Sequence, residues 1–364
     1  MKNTFGNNIS VTVFGESHGE AVGAILDGVP AGISIDIDFI KKQLELRRPF
    51  GKISTPRKEA DNFQILSGYF NGKTTGTPIC LVIPNENTHS KDYSESYGTA
   101  RPGHADYTAF CKYKGCEDYR GGGHFSGRVT AGLVAVGAIA IKLLSEKGIK
   151  IGTHISKCAG VTDDKFSYLN NEIDLLNNKI FAVINDEKGK EMIANIEKAS
   201  ENGDSVGGIL ETVVTGLPVG VGEPWFDSLE SMLSHGLFSI PGIKGVEFGA
   251  GFSCADMLGS EMNDSFKVVD DKIVTETNNN GGINGGISNG MPLVVRCAVK
   301  PTPSISKEQN TVNFKNNENT VLSVKGRHDP CIVHRVRVVA DSIVAIILCD
   351  MLTQKFGVDW LGEK

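Results

Sequence analysis

No charge-free apolar run in this chain reaches the length expected of a bilayer-crossing helix. The longest charge-free apolar stretches, residues 129 to 141 and 342 to 349, fall short of the roughly 20 residues that a spanning helix needs. The first residues, Met1-Lys2-Asn3-Thr4-Phe5-Gly6, hold no apolar core, so no secretory signal is expected. No cysteine pair forms Cys-x-x-Cys, and no histidine pair near one has zinc-finger spacing. A structural metal is therefore not expected. Among the eight cysteines only Cys111 and Cys116 are close in sequence. Reduced thiols in a cytoplasmic protein are the simplest reading. A Gly-x-Gly-x-x-Gly following a strand is also missing, which argues against a dinucleotide fold and an NADPH:flavin oxidoreductase built on one. Positive charge is not in excess. The net charge is −6, whereas a nucleic-acid backbone calls for a basic field.

What the chain does have is ordinary apolar content, 40%, enough for the core of a soluble globular protein. It also has 43 glycines, and cations gather beside them while the acids are spread. The stretch 101 to 128 shows this most clearly. Arg101-Pro-Gly-His104-Ala-Asp106 is followed by Tyr119-Arg120-Gly-Gly-Gly-His124-Phe125-Ser126-Gly-Arg128, and then by an apolar segment that reads as a buried helix over 129 to 144. Glycines let a backbone approach a ligand closely, and the start of a helix favours anions. A phosphorylated or carboxylated small molecule suits such a site. A glycine-rich surface turn with scattered cations is the plain alternative.

The same layout recurs near the end. Lys325-Gly-Arg327-His328-Asp329-Pro-Cys331 enters a second apolar helix, expected over 338 to 352. Between these motifs the pattern predicts a strand over 9 to 14, a bend carrying Ser17 and His18, and a strand over 21 to 26. A helix is expected over 37 to 46, with Asp36 or Asp38 as its cap. It runs into the basic loop Arg47-Arg48-Pro-Phe-Gly-Lys52, which reads either as a solvated face or as an arm that brings cations to an anion. Short strands follow over 63 to 66, 68 to 70 and 79 to 83. Residues 160 to 203 read as a peripheral insertion with an amphipathic helix over 191 to 199. A strand is expected over 206 to 214, a helix over 226 to 238, and a turn and strand from 239. The Asn- and Gly-rich stretch 276 to 290 reads as a loop, one that embraces a cofactor rather than a disordered one. The strand after it, 293 to 299, delivers Lys300-Pro-Thr-Pro-Ser304.

Taken together these motifs resemble chorismate synthase. The resemblance is carried by Phe14-Gly-Glu-Ser-His-Gly19, Asp27-Gly-Val-Pro-Ala-Gly32, Arg47-Arg48-Pro49, the two halves of the 101–128 stretch, Lys244-Gly-Val-Glu247, the 281–290 loop, Lys300-Pro-Thr302 and Lys325 to Cys331. The blocks fall in family order over nearly the whole chain. The resemblance implies an α+β fold, a β-α-β sandwich with antiparallel sheets around central helices, as one domain over 1–364 and assembled as a homotetramer. It implies a lyase of the shikimate pathway that removes phosphate from 5-enolpyruvylshikimate 3-phosphate by 1,4-anti elimination. Reduced FMN is the implied cofactor, with NADPH added if the enzyme reduces its own flavin.

By the same resemblance, His18 would protonate the departing phosphate and His104 would hold or protonate the flavin near N1. Imidazole suits both roles because its ordinary pKa, about 6.5, lies near neutrality. Asp329 with Ser17 would relay the proton from substrate C6 by way of flavin N5. Arg47, Arg48, Lys52, Arg101, Arg128 and Arg327 would clamp phosphate and carboxylates. His124, Phe125, Ser126, Pro241, Gly242, Gly285, Lys300, Pro301, Thr302, Pro303, Ser304 and Arg327 would hold the flavin. The chain departs from the family at His124 and Phe125, where Arg and Ser are common, so altered FMN or phosphate affinity is expected. The rival reading is a non-catalytic flavin- or phosphate-binding protein on the same scaffold.

Overall fold

The computed structural model describes residues 2–55, 60–86, 97–168, 170–324 and 328–363. Near the N-terminus, β1 (Thr4–Phe5), β2 (Ser10–Gly15), β3 (Ala21–Asp27), β4 (Gln64–Ser67) and β5 (Ile79–Pro84) form an antiparallel sheet in the order β1-β2-β3-β5-β4. The β2–β3 hairpin carries Ser17 and His18 at its bend, as the alternating pattern predicts. Between β3 and β4 lies α1 (Ile37–Arg47). Its cap is Asp36, whose carboxylate accepts the Phe39 amide at 2.9 Å.

A second antiparallel sheet is built from β6 (Lys150–Cys158), β7 (Val161–Thr162), β8 (Gly208–Thr215), β9 (Ile243–Phe248) and β10 (Leu293–Val299), in the order β9-β10-β8-β6-β7. The central layer is a pair of helices, α3 (Thr130–Glu146) and α7 (Val333–Phe356), which pack on each other. Helix α3 faces the first sheet and α7 the second, so the expected β-α-β sandwich is what the chain forms. Both helices are buried nearly all round, which is why their sequences are apolar on every face. Two glycines let the layers close. A Cβ on Gly132 would meet the Gly23 carbonyl carbon of β3 at 2.4 Å, and one on Gly137 would meet the Ser342 Cβ of α7 at 2.3 Å.

With its lead-in turn, the α3 segment runs from Gly127 to Glu146, 20 residues. By length and composition it could cross a membrane, contrary to the expectation from the shorter apolar core. In the fold 78% of an 18-residue apolar stretch within it is buried, which accounts for its apolarity. Helix α7 begins five residues earlier than expected, at Val333 rather than 338, and so takes His334, Arg335 and Arg337 into its first turns.

The chain has further helices, one of them spanning the amphipathic helix expected over 191 to 199. Asp106–Tyr113 forms α2, which the pattern did not announce. In the 160–203 segment, α4 (Asn170–Leu176) and α5 (Asp186–Glu201) appear, and Met192 and Ile196 of α5 join the main core. Helix α6 (Leu229–Ser239) starts at its Ser228 cap rather than at 226. The 276–290 stretch holds a two-residue ladder, Ile283–Asn284 with Ile287–Ser288. All eight cysteines are free thiols.

Candidate active site

Loops, helices and strand ends from distant parts of the chain enclose a cavity of about 850 Å³. One part of its wall is apolar. Val11 and Val13 alternate on β2, Leu133 projects from α3, and Val336, Val339 and Ile343 form a helical stripe on α7. The other part is cationic. Eight lysines and arginines, among them Arg47, Arg48, Arg101, Arg128, Lys244, Lys300 and Arg335, share the lining with two carboxylates, Asp61 and Asp329. Such a wall attracts multiply charged anions.

The three glycines stand at the centre. Gly121, Gly122 and Gly123 have φ of 60°, 85° and 52°, the left-handed region where a side chain is strained. A Cβ on Gly121 would meet His18 Cδ2 at 2.5 Å and Ser17 Oγ at 3.0 Å; one on Gly122 would meet His104 Cε1 and Nε2 at 3.2 Å. The glycine turn is thus the surface on which both imidazoles rest. It is tied to the β2–β3 bend twice. The Ser17 amide donates to the Gly123 carbonyl at 3.1 Å, and His124 Nδ1 donates to the Gly15 carbonyl at 2.8 Å.

His104 is held from behind. Its Nδ1 lies 2.7 Å from Asp106 Oδ1 and 3.1 Å from Arg101 Nη2. Arg101 can only donate, and it already places two N–H groups on Asp106, Nε on Oδ2 at 2.8 Å and Nη2 on Oδ1 at 2.7 Å. The shorter contact therefore decides the tautomer: Nδ1–H donates to Asp106, and Nε2 is left on the Gly122 side. Burial alone would raise the Asp106 carboxyl, but hydrogen bonds from Arg101 and His104 hold it well below the usual carboxylate range.

Asp329 accepts the Thr55 amide at 2.8 Å and Arg335 Nη1 at 2.7 Å. Arg335 Nε also donates to the Arg47 carbonyl at 3.0 Å, so α7 grips the end of α1 through this one side chain. Arg47 and Arg128 share Asp61, one on each carboxylate oxygen. Burial draws the Arg47 guanidinium down to about 10, with Asp61 opposing and Arg335 and Arg128 reinforcing the fall. At Asp61, burial works to raise the carboxyl, and the two guanidiniums override it and keep it below its ordinary value.

Of the residues picked out from sequence, Ser17, Arg47, Arg48, Arg101, His104, His124, Phe125, Ser126, Arg128, Pro241, Gly242, Lys300, Pro301, Thr302, Pro303, Ser304 and Asp329 line this one cavity. The His18 ring lies against Gly121, itself a lining residue. Lys300 joins two motifs by donating to the Gly103 carbonyl at 2.5 Å. Two of the residues picked out from sequence lie apart from the lining. Lys52 is exposed on the short Gly51–Ile53 turn, outside the lining. Gly285 sits at the tip of the 283–288 ladder, also outside it. Asp264 accepts Thr277 Oγ1, Asn279 N, Asn280 N and Asn280 Nδ2 and anchors that loop beside the Glu261–Asp264 segment. Arg327 lies outside the described residues. Sequence reasoning missed Asp61, Arg335, Lys244 and the role of Asp106. The last stood in a motif already singled out, and its spacing of two from His104 was the available signal.

The residues present fit a flat ring with an anionic tail. The apolar stripe matches a ring system, and Thr302 Oγ1 and Arg47 Nε are buried with no partner among the described residues. Comparison with known proteins decides the family. The chorismate synthase family model matches residues 9–353. The chain belongs to the chorismate synthase family. It is similar to the chorismate synthase of Methanocaldococcus jannaschii, 51% identical over 97% of this chain and 96% of that one. Its identity to the chorismate synthase of Dehalococcoides mccartyi is 48%, over 96% of both chains. A solved structure titled as the crystal structure of chorismate synthase superposes with a TM-score of 0.77 at 30% identity, over 97% of this chain and 94% of that one. Membership makes the protein a lyase that eliminates phosphate to give chorismate, and it brings the family's requirement for a reduced flavin.

Proposed function

We propose that the flavin is reduced FMN, held by the apolar wall and the Lys300–Ser304 segment, with 5-enolpyruvylshikimate 3-phosphate against the cationic wall. The observation that carries this is the meeting of two imidazoles, a cationic wall and an apolar stripe on one glycine-lined cavity. Bound reduced FMN would supply an electron-rich ring that assists loss of phosphate without net redox change.

The chain's own groups supply the rest. Arg47, Arg48, Arg128 and Arg101 bind and orient the phosphate and two carboxylates, with Arg327 a further clamp in this reading. His18, beside Ser17, gives a proton to the leaving phosphate oxygen. His104 has its Nδ1 proton fixed by Asp106, which leaves Nε2 to hold or donate a proton at the flavin edge. Asp329, oriented by Arg335 and the Thr55 amide, accepts the substrate proton. His124, Phe125, Ser126, Pro241 and Gly242 complete the flavin side. The residues retained at these positions favour catalysis over a binding-only scaffold. In this reading the protein is a cytoplasmic homotetramer, one domain per chain with residues 160 to 203 at its periphery. NADPH enters only if the enzyme reduces its own flavin. Turnover in air with NADPH and catalytic FMN is expected only from a self-reducing enzyme, whereas a monomer by light scattering would overturn the assembly.

A further inference from the structure

We propose that Asp61 is a positioning residue for anion binding, a yoke that sets the spacing and tilt of Arg47 and Arg128. The inference rests on the reading that these guanidiniums meet the substrate's anionic groups. Asp61 is 5% exposed, in the cavity lining, and each carboxylate oxygen takes a different guanidinium. Its partners come from separate elements, Arg47 from the last turn of α1 and Arg128 from the turn entering α3. Nothing else among the described contacts joins these two guanidiniums to one group. Each guanidinium has further bonds, and one from Arg47 also reaches the turn that carries Arg128. Arg128 donates Nε to Asn85 Oδ1 at 2.9 Å and Nη2 to the Pro84 carbonyl at 3.2 Å, and Arg47 reaches the Gly127 carbonyl at 3.4 Å.

Asp61 itself has φ 51°, in the left-handed region that aspartate enters more readily than most non-glycine residues. One carboxylate between two cations leaves the pair with a surplus positive charge at fixed separation, and Arg47 Nε without a partner among the described residues. That arrangement suits a phosphate or carboxylate group. Without the yoke the two guanidiniums repel each other and lose their common orientation.

The test is Asp61→Asn, which keeps the size and removes the charge. Asp61→Glu keeps the charge but moves it one methylene. With reduced FMN, the KM for 5-enolpyruvylshikimate 3-phosphate should rise about tenfold or more in Asp61→Asn, equivalent to about 1.4 kcal/mol, with kcat changed far less. Asp61→Glu should show a smaller rise. In parallel, protection against thermal unfolding by inorganic phosphate should be present in the wild type and lost in Asp61→Asn. A wild-type KM and wild-type phosphate protection in both variants overturn the proposal. If Asp61→Asn does not fold, an unchanged KM in Asp61→Glu does the same. If the wild type itself does not turn over the substrate, the functional reading falls, and the phosphate arm alone judges the yoke.

Discussion

His18 Cδ2 would stand 2.5 Å from a Cβ built on Gly121. The imidazole therefore occupies the space that any other residue at 121 would need. Gly121→Ala forces either His18 and Ser17 or the whole glycine turn to shift, at a backbone angle of φ 60° that already disfavours alanine. We expect the variant to fold with a lower Tm and to lose about 100-fold in kcat, the scale of an ångström-sized misplacement. Steady-state rates of phosphate release check this. Wild-type rates would show that the His18 ring has no part in turnover.

Asp106 is expected to matter through the histidine it holds. Asp106→Asn removes the group that fixes Nδ1–H on His104 and leaves Arg101 without its carboxylate. A fall in kcat of about 100-fold or more is expected, the usual weight of a positioned acid–base group. The pH profile should also change shape, whereas a merely structural loss would lower Tm and leave that shape alone.

Two buried imidazoles give the fold opposite responses to pH. His154 is opposed by burial, yet its bonds to Asp163 at 3.0 Å and Glu211 at 3.2 Å raise its pKa above the ordinary value. A raised folded value gives stability that is full below about pH 6.5 and lost as pH rises through it. His334 is driven down to about 3 by burial, with Arg335 and Arg337 adding to the effect. Its unfolded form takes a proton that its folded form refuses, so stability falls as pH drops from about 6.5 toward 3. The Tm of the wild type should decline on both sides. His154→Gln should flatten the alkaline side and His334→Gln the acid side. Unchanged slopes in both variants would contradict these assignments.

Much of the fold is legible in the sequence. The bend carrying Ser17 and His18 follows from a period of two on either side of a polar, glycine-flanked hexapeptide. Helix α3 follows from an unbroken apolar segment. The residues that brace the site were not readable, because their meaning lies in distant partners. Asp61 sits at the end of a mixed charge run, and one of its partners is 67 residues away. Arg335 precedes the apolar segment that marks the helix, because the first turn of α7 is polar and meets Asp329 and Ser54. Helix α2 has eight residues, too few for a period to emerge. The place of Gly285 is not legible either, because the loop that carries it is held through hydrogen bonds to Asp264, 21 residues earlier.

The most direct test of the account is phosphate release from 5-enolpyruvylshikimate 3-phosphate under anaerobic conditions with dithionite-reduced FMN. Chorismate and phosphate are expected in equal amounts, with no product when the FMN is left oxidised. Wild-type release by the double variant His18→Ala/His104→Ala, or release that proceeds without reduced flavin, would contradict it.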